Sequence, residues 1–310
     1  MVTVTTISQY ICEIEKLYVS THISADLIPN AILLYRGHSN SDYQLLPSIA
    51  RGGTPQGYDS FLSEEGNLIE AARQGLPSLF SANLSPIDLL ATMQHYGIPT
   101  RLLDITENPL AALFFACEDN GADGEVLVFK EHDIDRADRP ICQAIADSYR
   151  LLIEPQTRLE DFYNQAIQMP YFDYQRYWLN KKCLPTGNHS SWIQECCSQP
   201  IFVHGASALL RQNAQSGRYI LFPNKIAPYC LGKNENELAF EAAIEPLSKD
   251  SESIAKRFKV PSKAKKDLLA SLCHFGITRS TLFPDSIDCV CGGIKDRVTA
   301  DSNARKRMGG

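Results

Sequence analysis

The sequence has no apolar run long enough to cross a membrane, and its first residues lack the basic start and apolar centre of a secretory signal peptide. Both absences argue against a membrane-spanning or secreted protein, so we expect a cytoplasmic location and no membrane partner. The 310 residues are enough for one large domain with a good core or for two smaller domains.

The cysteine pattern lacks the spacings that mark a zinc site or a disulfide framework. Ten cysteines are present, but the close pairs, Cys196 with Cys197 and Cys289 with Cys291, do not have zinc-knuckle spacing. Buried, reduced thiols are the simpler interpretation. We therefore predict no structural metal and no metal cofactor.

An excess of positive charge is also absent. The net charge of −6 argues against a general attraction to nucleic acid or to membranes, although it allows a local basic surface. One segment, which we call the basic patch, contains Lys256, Arg257, Lys259, Lys263, Lys265 and Lys266. A solvated surface is the simpler interpretation of this patch and of the basic residues Arg305, Lys306 and Arg307.

The apolar periodicity predicts an α+β fold, a single domain with a central mixed or antiparallel sheet and an elaborated helical middle. Strands are expected in the segments AILLYR, GEVLVF, PIFVHG, GRYILF and ELAFEAAIEP. Helices are expected within residues 7–17, 85–97, 108–119 and 262–274. Ser85 and Asn108 are suited to be N-caps, and the similar sequences QHYGIPTR and CHFGITRS indicate two glycine-terminated helix ends rather than a duplicated domain.

Four stretches of the chain, in this order, resemble the FRG domain family, whose name refers to a (Phe/Tyr)-Arg-Gly opening. They are YRGHSNSDYQLLPSIAR, QHYGIPTRLLDITENPLAALFFACED, RQNAQSGRYILF and FKVPSKAKKDLLASLCHFGITRSTLFPD. The second stretch is the most specific, because it follows nearly the whole family pattern. The resemblance predicts a helical lead-in over residues 1–30, an FRG domain over 31–290 with an insertion at about 131–200, and a flexible tail over 291–310.

The order of elements is further similar to that of ADP-ribosyltransferases with an Arg–Ser–Glu signature. Those enzymes have a strand ending in YRG-like residues, a strand ending in Ser-Thr-Ser, a helix and a further strand. Here LLYRG, TRLLDIT, NPLAALFFA and GEVLVF follow the same order. The resemblance implies an ADP-ribosyltransferase-like fold with NAD as the substrate, with Arg36 at the arginine position and residues 104–106 in place of Ser-Thr-Ser.

Cleavage of the nicotinamide–ribose bond passes through an oxocarbenium-like state, so the site must hold the substrate rigidly. The resemblance implies that Arg36 binds phosphate or ribose oxygens, while Gly37 lets the backbone approach the ligand. Thr106 could orient the ribose or could simply be a turn residue. We expect NAD contacts from Tyr35, Arg36, Gly37, His38, Thr106 and Gln215, and catalytic roles for Arg36, His95, Asp104 and Glu241.

The catalytic carboxylate departs from the transferase pattern. The expected Glu-x-Glu is replaced by RQNAQSGRYILF, which offers Gln212 and Gln215, and glutamine cannot act as a base. Asp104 and Glu241 are the preferred sources of the acid. Glu237 and Glu245 are further candidates, and the site could also lack an acid.

Several of these residues have a structural interpretation as well. Arg36 could pair with a buried acid such as Asp104, and His95 could hydrogen-bond the last carbonyls of its helix. Arg101 is more readily interpreted as structural. The segment RSTLFPD is predicted to be a packing corner with Phe283 buried.

We therefore expect an NAD-dependent mono-ADP-ribosyltransferase of FRG type that acts on a macromolecule, as a toxin or phage-defence effector with an antitoxin or chaperone as a possible partner. Single-stranded RNA or DNA is the expected acceptor if the basic patch and the aromatic residues of 162–178 line one cleft. A core position is the simpler interpretation of those aromatic residues. Two alternatives stay open, a non-catalytic nucleotide or nucleic-acid binding module and an NAD hydrolase.

Overall fold

The computed structural model describes residues 1–22, 31–52, 60–119, 121–131, 135–136, 139–152, 155–172, 188–204, 210–230 and 237–286. Its α-helices are α1 (Ile7–His22), α2 (Glu65–Gly75), α3 (Pro86–His95), α4 (Pro109–Cys117), α5 (Pro140–Ala146), α6 (Ser148–Leu151), α7 (Leu159–Ala166), α8 (His189–Cys197), α9 (Leu210–Ala214), α10 (Ser262–His274) and α11 (Arg279–Leu282). Its strands are β1 (Val2–Thr3), β2 (Ile32–His38), β3 (Leu102–Thr106), β4 (Gly124–Glu131), β5 (Asp135–Arg136), β6 (Gln156–Arg158), β7 (Ile201–His204), β8 (Gly217–Leu221), β9 (Ile226–Pro228), β10 (Leu238–Glu241) and β11 (Ile254–Val260). The predicted helices and strands are all present, and the α+β class is confirmed.

An eight-stranded sheet lies at the centre, in the order β1-β11-β4-β2-β3-β8-β7-β5. Its inner strands pair antiparallel, whereas the edge pairs β1–β11 and β5–β7 are parallel. The predicted mixed sheet is therefore confirmed. A second, three-stranded antiparallel sheet in the order β6-β10-β9 was not anticipated from the sequence.

Helices cover the central sheet in two groups. Residues of α1, α4, α10 and α11 pack in one hydrophobic cluster, while α2, α3 and α5 to α8 pack in another. The second group contains the helical middle, in which Phe162, Tyr163 and Phe172 are buried. These aromatic side chains are core residues, as the simpler interpretation held. Tyr174, Tyr177, Trp178 and the predicted tail lie outside the described residues.

The N-terminal segment packs closely onto the rest of the chain. Strand β1 extends the sheet beside β11, and the Tyr10 ring lies edge-on to the Phe258 ring at 5.1 Å. The Tyr10 hydroxyl also donates to the Pro109 carbonyl at 3.0 Å. Val4, Ile7 and Tyr10 are therefore part of the core, while the predicted domain boundaries stay predictions. Among the described helices, none is both long and apolar enough to cross a membrane.

The predicted helix ends are correct. Ser85 accepts a hydrogen bond from the Asp88 backbone, and the Asn108 side chain accepts from the first turn of α4. Gly97 and Gly276 follow α3 and α10 with φ values of 82° and 74°, which favour glycine over other residues. The two similar sequences are thus two copies of one helix ending.

A buried ion pair joins α2 to the start of β3. The Arg101 side chain is 1% exposed, and its Nε donates to Glu65 Oε1 at 2.8 Å. Its Nη1 donates to the Phe222 carbonyl and to Asn224 Oδ1. Because the guanidinium is buried and its donors are engaged by Glu65, Asn224 and a backbone carbonyl, the structure supports the structural interpretation of Arg101.

Side-chain alternation along β2 determines which residues reach the functional face. Leu33 and Tyr35 pack beneath the group that contains α4, whereas Leu34 packs on the opposite face. Because successive strand side chains alternate, Arg36 and His38 share the face of Leu34. The two polar side chains at the end of β2 therefore lie side by side.

Gly37 lies on the other face, against the backbone of α4. A Cβ atom at this position would lie 1.9 Å from the Ala112 carbonyl oxygen and 2.7 Å from the Ala116 nitrogen. Backbone atoms cannot move aside as a flexible side chain can. Close packing of β2 on α4 therefore requires glycine at position 37, independently of any ligand.

We expect the Gly37→Ala variant to lose about 3 kcal/mol or more of unfolding free energy, because the added methyl group overlaps the backbone of α4. The matched control is Gly75→Ala, since a Cβ at Gly75 meets no atom within 4 Å. The control should change the unfolding free energy by no more than about 1 kcal/mol. Urea unfolding of both variants measures the difference, and equal effects would contradict the packing argument.

Candidate functional site

A cleft opens at the point where β2 and β3 separate. The two strands pair at Tyr35 and Thr106, and no further pair of their residues is in register. Beyond this point the strand ends diverge and enclose a cleft of about 1070 Å³. A gap between two strands of the central sheet therefore forms the site.

All six residues expected to bind NAD line this cleft. They are Tyr35, Arg36, Gly37 and His38 of β2, Thr106 of β3, and Gln215 of the turn before β8. Asp104, expected to be catalytic, lines it too and is exposed. The structure thus brings together residues that are up to 180 positions apart in the chain.

His95 lines a smaller pocket that adjoins the cleft. The two share Asp104, Ile105, Arg211 and Gln215 as lining residues. His95 Nε2 lies 2.8 Å from Asp285 Oδ2, so an acid near the end of the described chain holds the imidazole. His95 therefore does more than cap its helix, and it lies beside the cleft rather than in it.

Glu241 is not brought to the cleft. It lies on β10, which pairs with β6 and β9 in the second sheet, and its carboxylate is 3.8 Å from Lys225 Nζ. The expectation that Glu241 joins Arg36 is corrected by this placement. The reason is topological, because the sequence does not reveal that β10 belongs to a separate sheet.

Arg36 spans the gap between the two strands. Its Nε donates to His38 Nε2 at 2.9 Å, and its Nη1 donates to the backbone carbonyl of Asp104. The Asp104 carboxylate is exposed, so the buried pair considered above is not what holds Arg36. Burial lowers the pKa of Arg36 to about 10, and the guanidinium stays charged at neutral pH.

His38 connects Arg36 to a buried carboxylate. Its Nδ1 lies 3.6 Å from Glu125 Oε1, and Glu125 also binds Lys249 and, at 3.0 Å, Arg257. Burial lowers the pKa of His38 to about 4, so the ring is neutral and its Nε2 can accept from Arg36. Burial opposes ionisation of Glu125, but the nearby His38 ring and the hydrogen bonds from Lys249 and Arg257 outweigh it and lower its pKa to about 2.

The Thr106 hydroxyl is used within the protein. It donates to the Gln215 carbonyl and accepts from the Asn108 nitrogen at 2.9 Å. Gln215 in turn donates through Nε2 to the Leu282 carbonyl at 3.0 Å. Thr106 and Gln215 therefore connect β3 to α11, and the turn interpretation of Thr106 is supported.

The opposite wall contains residues that the sequence did not reveal. The Arg211 and Arg279 guanidinium carbons lie 4.3 and 5.3 Å from the centre of the Phe283 ring. Arg279 also binds Glu118. Phe283 packs against the hydrophobic cluster of α4 and α10, as expected of a packing corner, but it is only half-buried and also lines the cleft. Arg51 also lines the cleft. Its place at the end of the first FRG-like stretch could have indicated it from the sequence.

The basic patch is largely neutralised. Lys256 Nζ lies 2.5 Å from Glu13 Oε2, and Lys259 Nζ lies 2.9 Å from Asp123 Oδ2. Lys265 is fully buried and donates to backbone carbonyls. The patch therefore does not form the continuous cationic surface that a nucleic acid would need. In the described part of the chain, no group of three or more His, Cys, Asp or Glu side chains could hold a metal ion.

The family model of the FRG domain matches residues 31–125. The chain carries an FRG domain. The matched segment contains β2, α3, β3 and α4, and with them Arg36, His38, His95 and Asp104. The FRG resemblance is therefore confirmed over these residues, while the wall formed by α9 and α11 lies outside the match. No curated protein and no solved structure matches the chain.

The buried His38 should make the stability of this protein depend on pH. We expect the free energy of unfolding to fall by about 3 kcal/mol between pH 6.5 and pH 4, because the unfolded imidazole takes up a proton there and the folded one does not. A second loss, from protonation of Glu125, should follow between pH 4.5 and pH 2.

Urea unfolding of the wild type and of His38→Gln across this pH range tests the first step. The glutamine can still accept from Arg36 and donate to Glu125, but it does not titrate. The difference in unfolding free energy between the two proteins should therefore change as the pH passes from 6.5 to 4. A difference independent of pH would contradict the assignment.

Proposed function

We propose that this protein is an NAD-dependent mono-ADP-ribosyltransferase that acts on a macromolecular acceptor. The observation that carries the proposal is the fixed position of Arg36, which His38 and the Asp104 carbonyl hold at the gap between β2 and β3. A guanidinium with two of its donors engaged by protein still has donors free for the oxygens of a phosphate. Such an arrangement binds an anion without the cost of ordering a flexible side chain.

The cleft fits a dinucleotide in size and charge. Its volume of about 1070 Å³ lies just above the usual range for small-molecule sites. Four arginines line it, and they suit a pyrophosphate: Arg36, Arg51, Arg211 and Arg279. Tyr43, Phe115 and Phe283 provide aromatic surface for the heterocyclic rings of such a ligand.

Asp104 is the best candidate for the catalytic carboxylate. It is exposed in the cleft next to Arg36, whereas Glu118 is paired with Arg279 and Glu241 lies in the second sheet. In the proposed reaction, the bond between the ribose C1′ and the nicotinamide nitrogen breaks, and nicotinamide leaves with the electron pair. The acceptor forms the new bond to C1′ and loses its proton to Asp104.

An NAD hydrolase is the second candidate, and the neutralised basic patch favours it. Because Lys256, Lys259 and Lys265 are paired or buried, the basic patch has few free charges with which to bind a nucleic-acid acceptor. Water would then take the place of the macromolecular acceptor at C1′. The role of a toxin or defence effector is compatible with either reaction, since both consume NAD.

We expect the Asp104→Asn variant to lose at least about a hundredfold in the rate of NAD cleavage, because an amide cannot accept the proton. Its affinity for NAD should stay within about threefold of the wild type, since the amide is the same size as the carboxylate. The matched control is Glu241→Gln, which should cleave NAD at the wild-type rate. Equal loss in both variants would contradict the assignment of Asp104.

Labelled NAD incubated with cell lysate measures the reaction, followed by separation of protein, RNA, DNA and free ADP-ribose. Label in one macromolecular fraction identifies the acceptor, whereas label only in ADP-ribose favours the hydrolase. Arg36→Lys should abolish both the labelling of a macromolecule and the release of ADP-ribose. An ammonium group lacks the planar set of donors with which a guanidinium can bond His38 and a phosphate at the same time. Unchanged NAD binding by Arg36→Lys would contradict the proposed site.

A further inference from the structure

A small polar pocket of about 40 Å³ opens beside the cleft. His95 of α3, Gln212 of α9 and Tyr219 of β8 line it, together with residues that it shares with the cleft. Asp104 is one of these shared residues. The pocket is therefore continuous with the place where the proposed reaction occurs.

Gln212 is the unexplained residue of this pocket. Its side chain is only 6% exposed, and neither Oε1 nor Nε2 has a hydrogen-bond partner in the described part of the chain. Buried amides without partners are rare in folded proteins, because each unpaired atom loses its bonds to water. An unpaired buried amide in the wall of a pocket indicates that the partner is a ligand.

The neighbouring polar side chains already have protein partners. Gln94 Oε1 accepts from the Thr100 hydroxyl at 2.5 Å, and His95 is held by Asp285. Gln215 donates to a backbone carbonyl of α11. Gln212 therefore differs from them in offering both a buried donor and a buried acceptor.

We propose that Gln212 binds the carboxamide group of the nicotinamide ring and thereby selects NAD over its carboxylate analogue. A primary carboxamide carries one acceptor oxygen and donor hydrogens in one plane, so it can satisfy Oε1 and Nε2 of a glutamine at once. A carboxylate has acceptors alone and would leave Oε1 unpaired. This inference rests on the proposed function, since it assumes that NAD occupies the cleft.

The size of the pocket agrees with this ligand group. A pocket needs roughly 10–15 Å³ of volume to hold one water-sized group. The 40 Å³ of this pocket therefore accommodates two or three non-hydrogen atoms. A carboxamide has three, whereas a nicotinamide ring would not fit. The ring would stay in the cleft next to Asp104, which is where the proposed mechanism needs the scissile bond.

Binding titrations with three ligands test the proposal. They are carba-NAD, whose carbocyclic ring cannot be cleaved, nicotinic acid adenine dinucleotide and ADP-ribose, which lacks the ring. The wild type should bind carba-NAD at least about tenfold more tightly than either of the others. In Gln212→Leu this preference should disappear, while the affinity for ADP-ribose should stay within about threefold of the wild type.

Thermal unfolding without ligand separates binding from a structural role. Gln212→Leu removes an unpaired buried amide, so its melting temperature should be unchanged or higher. Gln212→Met, which keeps the length of the side chain, should behave in the same way and serves if the leucine variant does not fold. The control is Gln165→Leu, which lies in a separate pocket beside α7 and should keep the preference for carba-NAD.

Each remaining outcome contradicts a specific statement. A carba-NAD preference that persists in both Gln212 variants overturns the inference, as does a wild type that binds all three ligands equally. Failure of the wild type to bind either carba-NAD or ADP-ribose contradicts the proposed function itself, and the inference with it. A lower melting temperature with parallel loss of all three ligands would show that Gln212 is structural.

Discussion

The hydrogen bond from Arg36 to His38, supported by the buried carboxylate of Glu125, is the interaction on which the site depends. β2 and β3 separate after one paired position, and Arg36 bridges the opening by bonding the Asp104 carbonyl. The Arg36 side chain is oriented by its hydrogen bond to His38, which is neutral because burial lowers the pKa of its ring. Glu125 accepts from Lys249 and Arg257 as well, so the whole chain of contacts is anchored in the sheet.

The cleft has two walls of different origin. One wall belongs to the segment that matches the FRG domain, and it contributes Arg36 and Asp104. The other wall comes from α9 and α11, outside the match, and contributes Arg211, Arg279 and Phe283. The matched residues alone therefore form only one wall of the proposed site. Gln215 connects the walls through its bond to the Leu282 carbonyl.

Charge is distributed so that the cleft differs from the rest of the molecule. The chain carries a net charge of −6, yet the cleft lining has four arginines against Asp42, Asp104 and Glu118. Three lysines of the basic patch, in contrast, are paired with acids or buried: Lys256, Lys259 and Lys265. A small anionic ligand would therefore find its strongest attraction inside the cleft.

Local signals in the sequence determined the helices, their caps, the central strands and the opening YRGH. These features depend on residues close in the chain, so their periodicity and capping chemistry are visible without a fold. The alternation of side chains along β2 even places Arg36 and His38 on one face. What the tertiary structure alone decided is which distant residues meet: that β10 takes Glu241 into a second sheet, that Phe283 faces the cleft, and that Gln212 is buried without a partner. No local pattern carries this information, because strand order and the packing of α9 and α11 depend on contacts between residues far apart in the chain.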